Sequence, residues 1–270
     1  MRVNELDYGV IYIEDALPNA AEFMRVIEEH DTNADLYPVI PAWEEWYDGG
    51  PVRTEDGWKQ IVEHTHESHR GRAKHFDWDL NENQHWPRKQ TTPDFSKAHN
   101  LADKIINLIE PDYIKALDVW AGITGNTMPA YITRNYCLRE YRTGGAMGAH
   151  IDKNIENPIN TMDWTALLYL NDDYEGGDLS FHARSPEELD ALGTDYNKHA
   201  DFFLSPKAGS IVMLPCTVTH AVSEITAGNK AYLFLFMHTK TNITSGLGEP
   251  YYPINDAIER HQKEMNHGNV

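Results

Sequence analysis

The residues best placed to do chemistry are His150-Ile151-Asp152. In an extended strand, residues i and i+2 face the same side. One strand end would therefore aim an imidazole and a carboxylate at a common point. Those are two of the three protein ligands of a facial triad, whose usual occupant is non-haem Fe(II). Such triplets also occur by chance at surface turns, and Gly144, Gly145 and Gly148 just before the pair read as a turn with close backbone approach. The triad reading needs a second histidine, for which His182, His199, His220 and His238 compete. His220 is preferred because Lys230 follows it at the start of the last apolar run, and antiparallel strands would carry both to one barrel mouth.

Those residues need a scaffold, and the strand-like runs supply one. From Tyr131 the apolar period becomes strand-like, over 135–141, 164–170, 179–181, 210–214 and 231–237. Gly144-Gly145, Gly176-Gly177, residues 206–209 and Gly228-Asn229 punctuate the runs. Many short strands behind a helical support predict a mainly β fold with supporting α: a double-stranded β-helix, or jelly roll, flanked by helices. The support comes first, as a strand over 8–13 and an amphipathic helix over 20–29. A helix with one apolar stripe follows over 95–109, then a second helix over 111–120 with Pro111 in its tolerated first turn, and a loop over 122–129. The expected organisation is 1–130 as N-terminal strand, helical support and insertion within the core's domain, 131–245 as the jelly-roll core, and 246–270 as a C-terminal tail and helix.

Residues 38–93 differ from their surroundings. Trp43, Trp46, Trp58, Trp78 and Trp86 fall there. Tryptophans that anchor loops to a core explain them, and so does a wall or lid over a substrate. Thr54 reads as the N-cap of a short helix over 55–64. His64, His66, His69 and His75 lack the paired spacing of a structural zinc site and read as solvated helix and loop.

Composition bounds the function. A 270-residue chain can bury a sizeable core. A formal net charge of −19 without a basic stripe argues against a duplex nucleic-acid binder and leaves room for a neutral or cationic peptide or metabolite. No run approaches a membrane span, and the N-terminal residues lack a signal h-region, so a cytosolic (cytoplasmic) protein is expected. Cys137 and Cys216 read as buried free thiols. The sequon Asn242-Ile243-Thr244 matters only in a secreted chain.

The ordered set Tyr141-x-x-Gly144, His150-x-Asp152, Thr165-Ala-Leu-Leu-Tyr-Leu-Asn171, Tyr174-x-Gly-Gly177, Pro206-x-x-Gly209, His220 and Gly228-x-Lys230 resembles the Fe(II)- and 2-oxoglutarate-dependent dioxygenases, most closely the prolyl 4-hydroxylase group. The resemblance covers about 136–236. It implies that His150, Asp152 and His220 bind Fe(II), and that Lys230 holds the distal carboxylate of 2-oxoglutarate beside Tyr169. Tyr141 would line the pocket, and Thr165, on the strand face of Tyr169, counts among the cosubstrate residues. O2 is the oxidant, with ascorbate as a candidate reductant. The retained Asp152 favours hydroxylation over halogenation, which needs that position vacant.

The implied activity is hydroxylation of a C–H bond, with a prolyl residue of a peptide or protein as leading substrate and a free amino acid or small metabolite next. The group usually carries Trp where this chain has Phe236, which bears on the substrate wall. A nucleic-acid demethylase on the same barrel would need arginines that 231–237 lack. A non-catalytic binding module would not need the full ligand set, and a cupin-like isomerase would not need Lys230. Taken alone, Lys230 also reads as a strand-end residue reaching solvent. Beside so apolar a run, a buried cation with a partner is the alternative.

Overall fold

The structure is a computed structural model that describes residues 1–32, 44–46, 51–54, 57–60, 71–77, 95–126, 131–132, 135–152, 163–192 and 195–238. Among them lies a nine-stranded sheet. Arg2–Glu5, Ile11–Glu14, Ile211–Pro215, Trp164–Tyr169, Asn229–His238, Asn135–Arg142, Gly71–Asp77 and Glu44–Trp46 run side by side in that order, and Tyr131–Ile132 also pairs with Asn229–His238. Facing it is a four-stranded sheet in the order Phe202–Leu204, Leu179–His182, Thr219–Val222, Met147–His150. All the pairings are antiparallel. This is the jelly-roll architecture the sequence predicts.

Strand periodicity explains why the large sheet carries two cores. Ala166, Leu168 and Leu170 point to one face, together with Ile211, Met213, Ala231, Leu233 and Leu235. That face packs on Phe23, Val26 and Ile27 of the helix Ala20–Thr32 and on Tyr113, Leu117 and Trp120 of the helix Phe95–Thr124. The alternate residues Leu167, Tyr169, Val212, Leu214, Tyr232 and Phe234 fill the space between the two sheets. Every functional candidate of the central strands therefore has its direction fixed by parity. Leu117 is fully buried in the helix-side core. Leu117→Ala is expected to cost about 2–5 kcal/mol, read as a lower urea midpoint at unchanged slope.

Several local expectations are corrected. The helices over 95–109 and 111–120 are one 30-residue helix with Pro111 inside. Proline removes the amide that would bond the Asn107 carbonyl, a cost of roughly 3 kcal/mol. The stripe Ile109, Tyr113, Leu117 and Trp120 buries on both sides of it at about 1.5–3 kcal/mol per side chain, so packing outweighs the break. The same helix runs to Thr124, inside the loop expected over 122–129.

The strand over 8–13 begins only at Ile11, because Tyr8 and Gly9 take positive φ (61° and 76°) in a short 3-10 turn. That turn joins Ile11–Glu14 to Arg2–Glu5, a strand the sequence reading missed. The helix over 55–64 is also overturned. Gly57–Gln60 is a strand paired with Pro51–Thr54 across residues 55–56. The antiparallel pairing with Pro51–Thr54 outweighs the capping signal of Thr54. His75 lies in the strand Gly71–Asp77, not in a solvated helix or loop.

Trp43, Trp78, Trp86, His64, His66, His69, the sequon and the 246–270 tail lie outside the described residues. Cys216 is buried and forms no disulfide. Among the described residues, no helix is long and apolar enough to cross a membrane.

Candidate metal and cosubstrate site

His150 ends one strand of the small sheet, and His220 lies directly opposite it in register on the neighbouring strand. Their ring centroids are 4.3 Å apart. Outward-facing Ala149 and Ala221 pack with Leu189 and Tyr196 behind the sheet, so the two histidines stand on a braced surface. Each imidazole is oriented by its own chain. His150 Nδ1 lies 2.8 Å from the Gly148 carbonyl and His220 Nδ1 lies 2.9 Å from that of Val218. A carbonyl only accepts, so both Nδ1 atoms are N–H donors, and in the neutral rings the lone pairs are on Nε2.

Both lone pairs face one carboxylate. His150 Nε2 lies 3.6 Å from Asp152 Oδ1, and His220 Nε2 lies 3.8 Å from Asp152 Oδ2. Ligand atoms of the three residues all lie within 4.8 Å of one another. Three converging acceptors are stable only with a cation among them, either a proton on one imidazole or a metal ion. Burial, then the neighbouring His150, pulls His220 down to about 4, which leaves it neutral at pH 7, as a ligand must be. Burial would raise the Asp152 carboxyl. The opposing His220, then the contacts to His150 and Thr165, outweigh it and hold the group below the usual carboxylate range. The donor set fits a divalent transition metal.

Lys230 and Tyr169 are fully buried. Lys230 Nζ lies 5.1 Å from the Tyr169 ring centre and 5.7 Å from that of Tyr174, and it donates to the Gly177 carbonyl. Burial pulls it down to about 7, against a weaker upward pull from Asp178. The Tyr169 hydroxyl is buried with no hydrogen-bond partner among the described residues. Burial pushes it well above its usual value, so it remains a proton donor. A buried cation beside an orphaned donor fits a carboxylate ligand.

The structure brings the remaining candidates into the same interior. Tyr141 accepts from the Tyr232 hydroxyl at 3.2 Å and lies 3.5 Å from Met147 Sδ. Thr165 is bonded to the Asp152 carboxylate. Sequence reasoning assigned no site role to Tyr232, Gly177 or Cys216. Tyr232 was accessible in principle, because it lies two residues from Lys230 on the same strand face. Gly177 takes φ +68°, and a Cβ there would meet Ile225 Cδ1 at 2.3 Å and Lys230 Cδ at 3.2 Å, so the pocket needs a glycine at that point.

Residues 136–238 match the family model described as the 2OG-Fe(II) oxygenase superfamily. That segment is similar to the 2OG-Fe(II) oxygenases. A PKHD-type hydroxylase of Shewanella sp. (strain MR-7) is 31% identical to the chain over 107 residues, which is 38% of this chain and 42% of that protein. Another from Stutzerimonas stutzeri (strain A1501) is 30% identical over 106 residues, 37% of this chain and 41% of that protein. The match thus spans well under half the length of these curated relatives. Among solved structures, a prolyl hydroxylase of Trichoplax adhaerens, in complex with a hypoxia inducible factor oxygen degradation domain peptide fragment, superposes with a TM-score of 0.50 at 13% identity, covering 88% of each chain. The non-heme alpha ketoglutarate dependent carbocyclase SnoK, from nogalamycin biosynthesis, gives 0.50 at 15% identity over 86% of this chain and 80% of that one. Both share the jelly-roll fold.

Proposed function

We propose that the chain is an Fe(II)- and 2-oxoglutarate-dependent dioxygenase that hydroxylates a C–H bond of a prolyl residue in a peptide or protein. One observation carries this reading: the His150, Asp152 and His220 acceptors converge, and Asp152 is bonded to Thr165, which shares a strand face with Tyr169 beside the buried Lys230. The prolyl choice is supported by the curated PKHD-type hydroxylases that the chain matches. The formal net charge of −19 suits a neutral or cationic peptide.

Each residue has a defined task. His150 and His220 present Nε2, because their Nδ1 protons are committed to backbone carbonyls. Asp152 supplies the anionic ligand. Lys230 and the Tyr169 hydroxyl hold the distal carboxylate of the keto-acid and fix its depth in the barrel. Leu167, Leu214 and Phe234 line the interior and exclude water. When bound, Fe(II) with 2-oxoglutarate and O2 supplies the oxidising power for C–H cleavage that no side chain offers.

The test is mass spectrometry of proline-rich peptides and, separately, free proline after incubation with Fe(II)-loaded protein and 2-oxoglutarate. A gain of one oxygen on the peptide, with succinate formed in equal amount, is the expected result. Oxidation of free proline alone moves the assignment to a small-metabolite hydroxylase. Succinate formation without oxidation of either substrate overturns the prolyl assignment.

A further inference from the structure

We infer that Thr165, with Cys216 behind it, is a positioning residue that makes Asp152 a one-oxygen metal ligand and so keeps coordination positions open for exogenous ligands. The inference rests on the metal-site reading above and adds two residues to it.

The hydrogen-bond directions follow from proton counting. An ionised carboxylate only accepts and a threonine hydroxyl has one proton. Thr165 Oγ1 lies 2.5 Å from Asp152 Oδ2, so that proton points at Oδ2. Thr165 Oγ1 also lies 3.3 Å from Cys216 Sγ. With its proton spent on Asp152, Thr165 must accept there, and the Cys216 thiol donates. The order is thiol to hydroxyl to carboxylate.

Each member of the relay is fixed. Thr165 and Cys216 are both fully buried. Thr165 sits on the central strand of the large sheet, between Leu214 and Phe236 in register, and its branched Cβ restricts χ1. Cys216 follows the strand Ile211–Pro215, and its amide donates to the Asp163 carbonyl at 2.9 Å. The two carboxylate oxygens therefore have different roles. Oδ2 shares its charge with the hydroxyl proton, which leaves Oδ1, 3.6 Å from His150 Nε2, the more basic donor to a metal, while Oδ2 lies 3.8 Å from His220 Nε2. A carboxylate that binds through both oxygens would take one more coordination position, which the keto-acid and the oxidant need.

Co(II), whose visible spectrum reports coordination number, is the probe. Thr165→Val keeps the shape and removes the proton. It is expected to weaken Co(II) binding by about 10- to 100-fold and to change the intensity of the visible bands. Thr165→Ser restores both, and Cys216→Ala shifts both in the same direction by less. Thr165→Ala, which introduces no bulk, must show the same loss as Thr165→Val, so misfolding of one variant does not shield the inference. Wild-type affinity and spectrum in the hydroxyl-free variants overturn it. If wild-type protein binds no Co(II) that His220→Ala abolishes, the metal site itself is refuted, and the inference with it.

Discussion

His220→Ala is expected to abolish turnover and leave only trace iron after desalting, with His150→Ala doing the same. His220 contributes a lone pair that is neutral at working pH, because burial holds its pKa at about 4. It also stands in register with His150, so no other described imidazole can replace it without moving a strand. Metal held by two remaining ligands on one side is lost by exchange, whereas the fold loses little. The metal-free site brings three acceptors together, and removing one relieves that conflict even as it leaves a small gap. The melting temperature of the metal-free variant should therefore stay within a few degrees of wild type. Full iron occupancy by elemental analysis in both alanine variants would remove these residues from the site.

Lys230→Met should separate binding from stability, with opposite signs. A charge-assisted bond to a carboxylate contributes about 1.5–3 kcal/mol, so 2-oxoglutarate should bind roughly 10- to 150-fold more weakly, while Co(II) binding is unchanged. The protein without cosubstrate should become more stable. Its lysine is lowered in the folded state to about 7, from an ordinary value near 10.5. The folded state then binds fewer protons than the unfolded chain between those values. The penalty of burying the cation is full below pH 7 and fades as pH rises towards the unfolded value. Below pH 7 the methionine variant should gain on the order of a few kcal/mol.

The same shift sets a pH dependence for the wild type. The dianion must bind the ammonium form, so above pH 7 binding takes up a proton, and affinity falls by up to about tenfold per pH unit. Calorimetry in buffers of different ionisation enthalpy reads that proton directly. Affinity that stays flat from pH 6.5 to 9, in a variant-sensitive site, would place the carboxylate elsewhere.

Much of this architecture could be read from residue order. Strand parity carried by Thr165, Leu167 and Tyr169 put the candidates on the interior face, and that face is where they lie. His150 and Asp152 followed from a two-residue spacing. His220 required a long-range guess, because only the register of two strands distant in sequence places it opposite His150. The relay through Cys216 had no sequence signal. A lone cysteine beside a strand looks like any small buried side chain, and only the fold brings it to Thr165. The errors share one cause. Thr54, Pro111 and Tyr8 each carry a local preference, and in each case hairpin pairing or core packing was worth more than that preference.

The cross-strand register of the two histidines also governs when the centre can exist. Thr165 and Cys216 are 51 residues apart in sequence, and Lys230 and Gly177 are 53 apart. No single hairpin contains both His150 and His220, so the loop-closure entropy of the whole barrel must be met before the third candidate ligand arrives. Metal capture is then a late event in folding, confined to the native state. Divalent metal should leave the refolding rate unchanged and slow unfolding in proportion to its occupancy. A cell short of iron would accumulate a folded, dormant barrel ready to be charged, rather than an unfolded chain exposed to proteolysis.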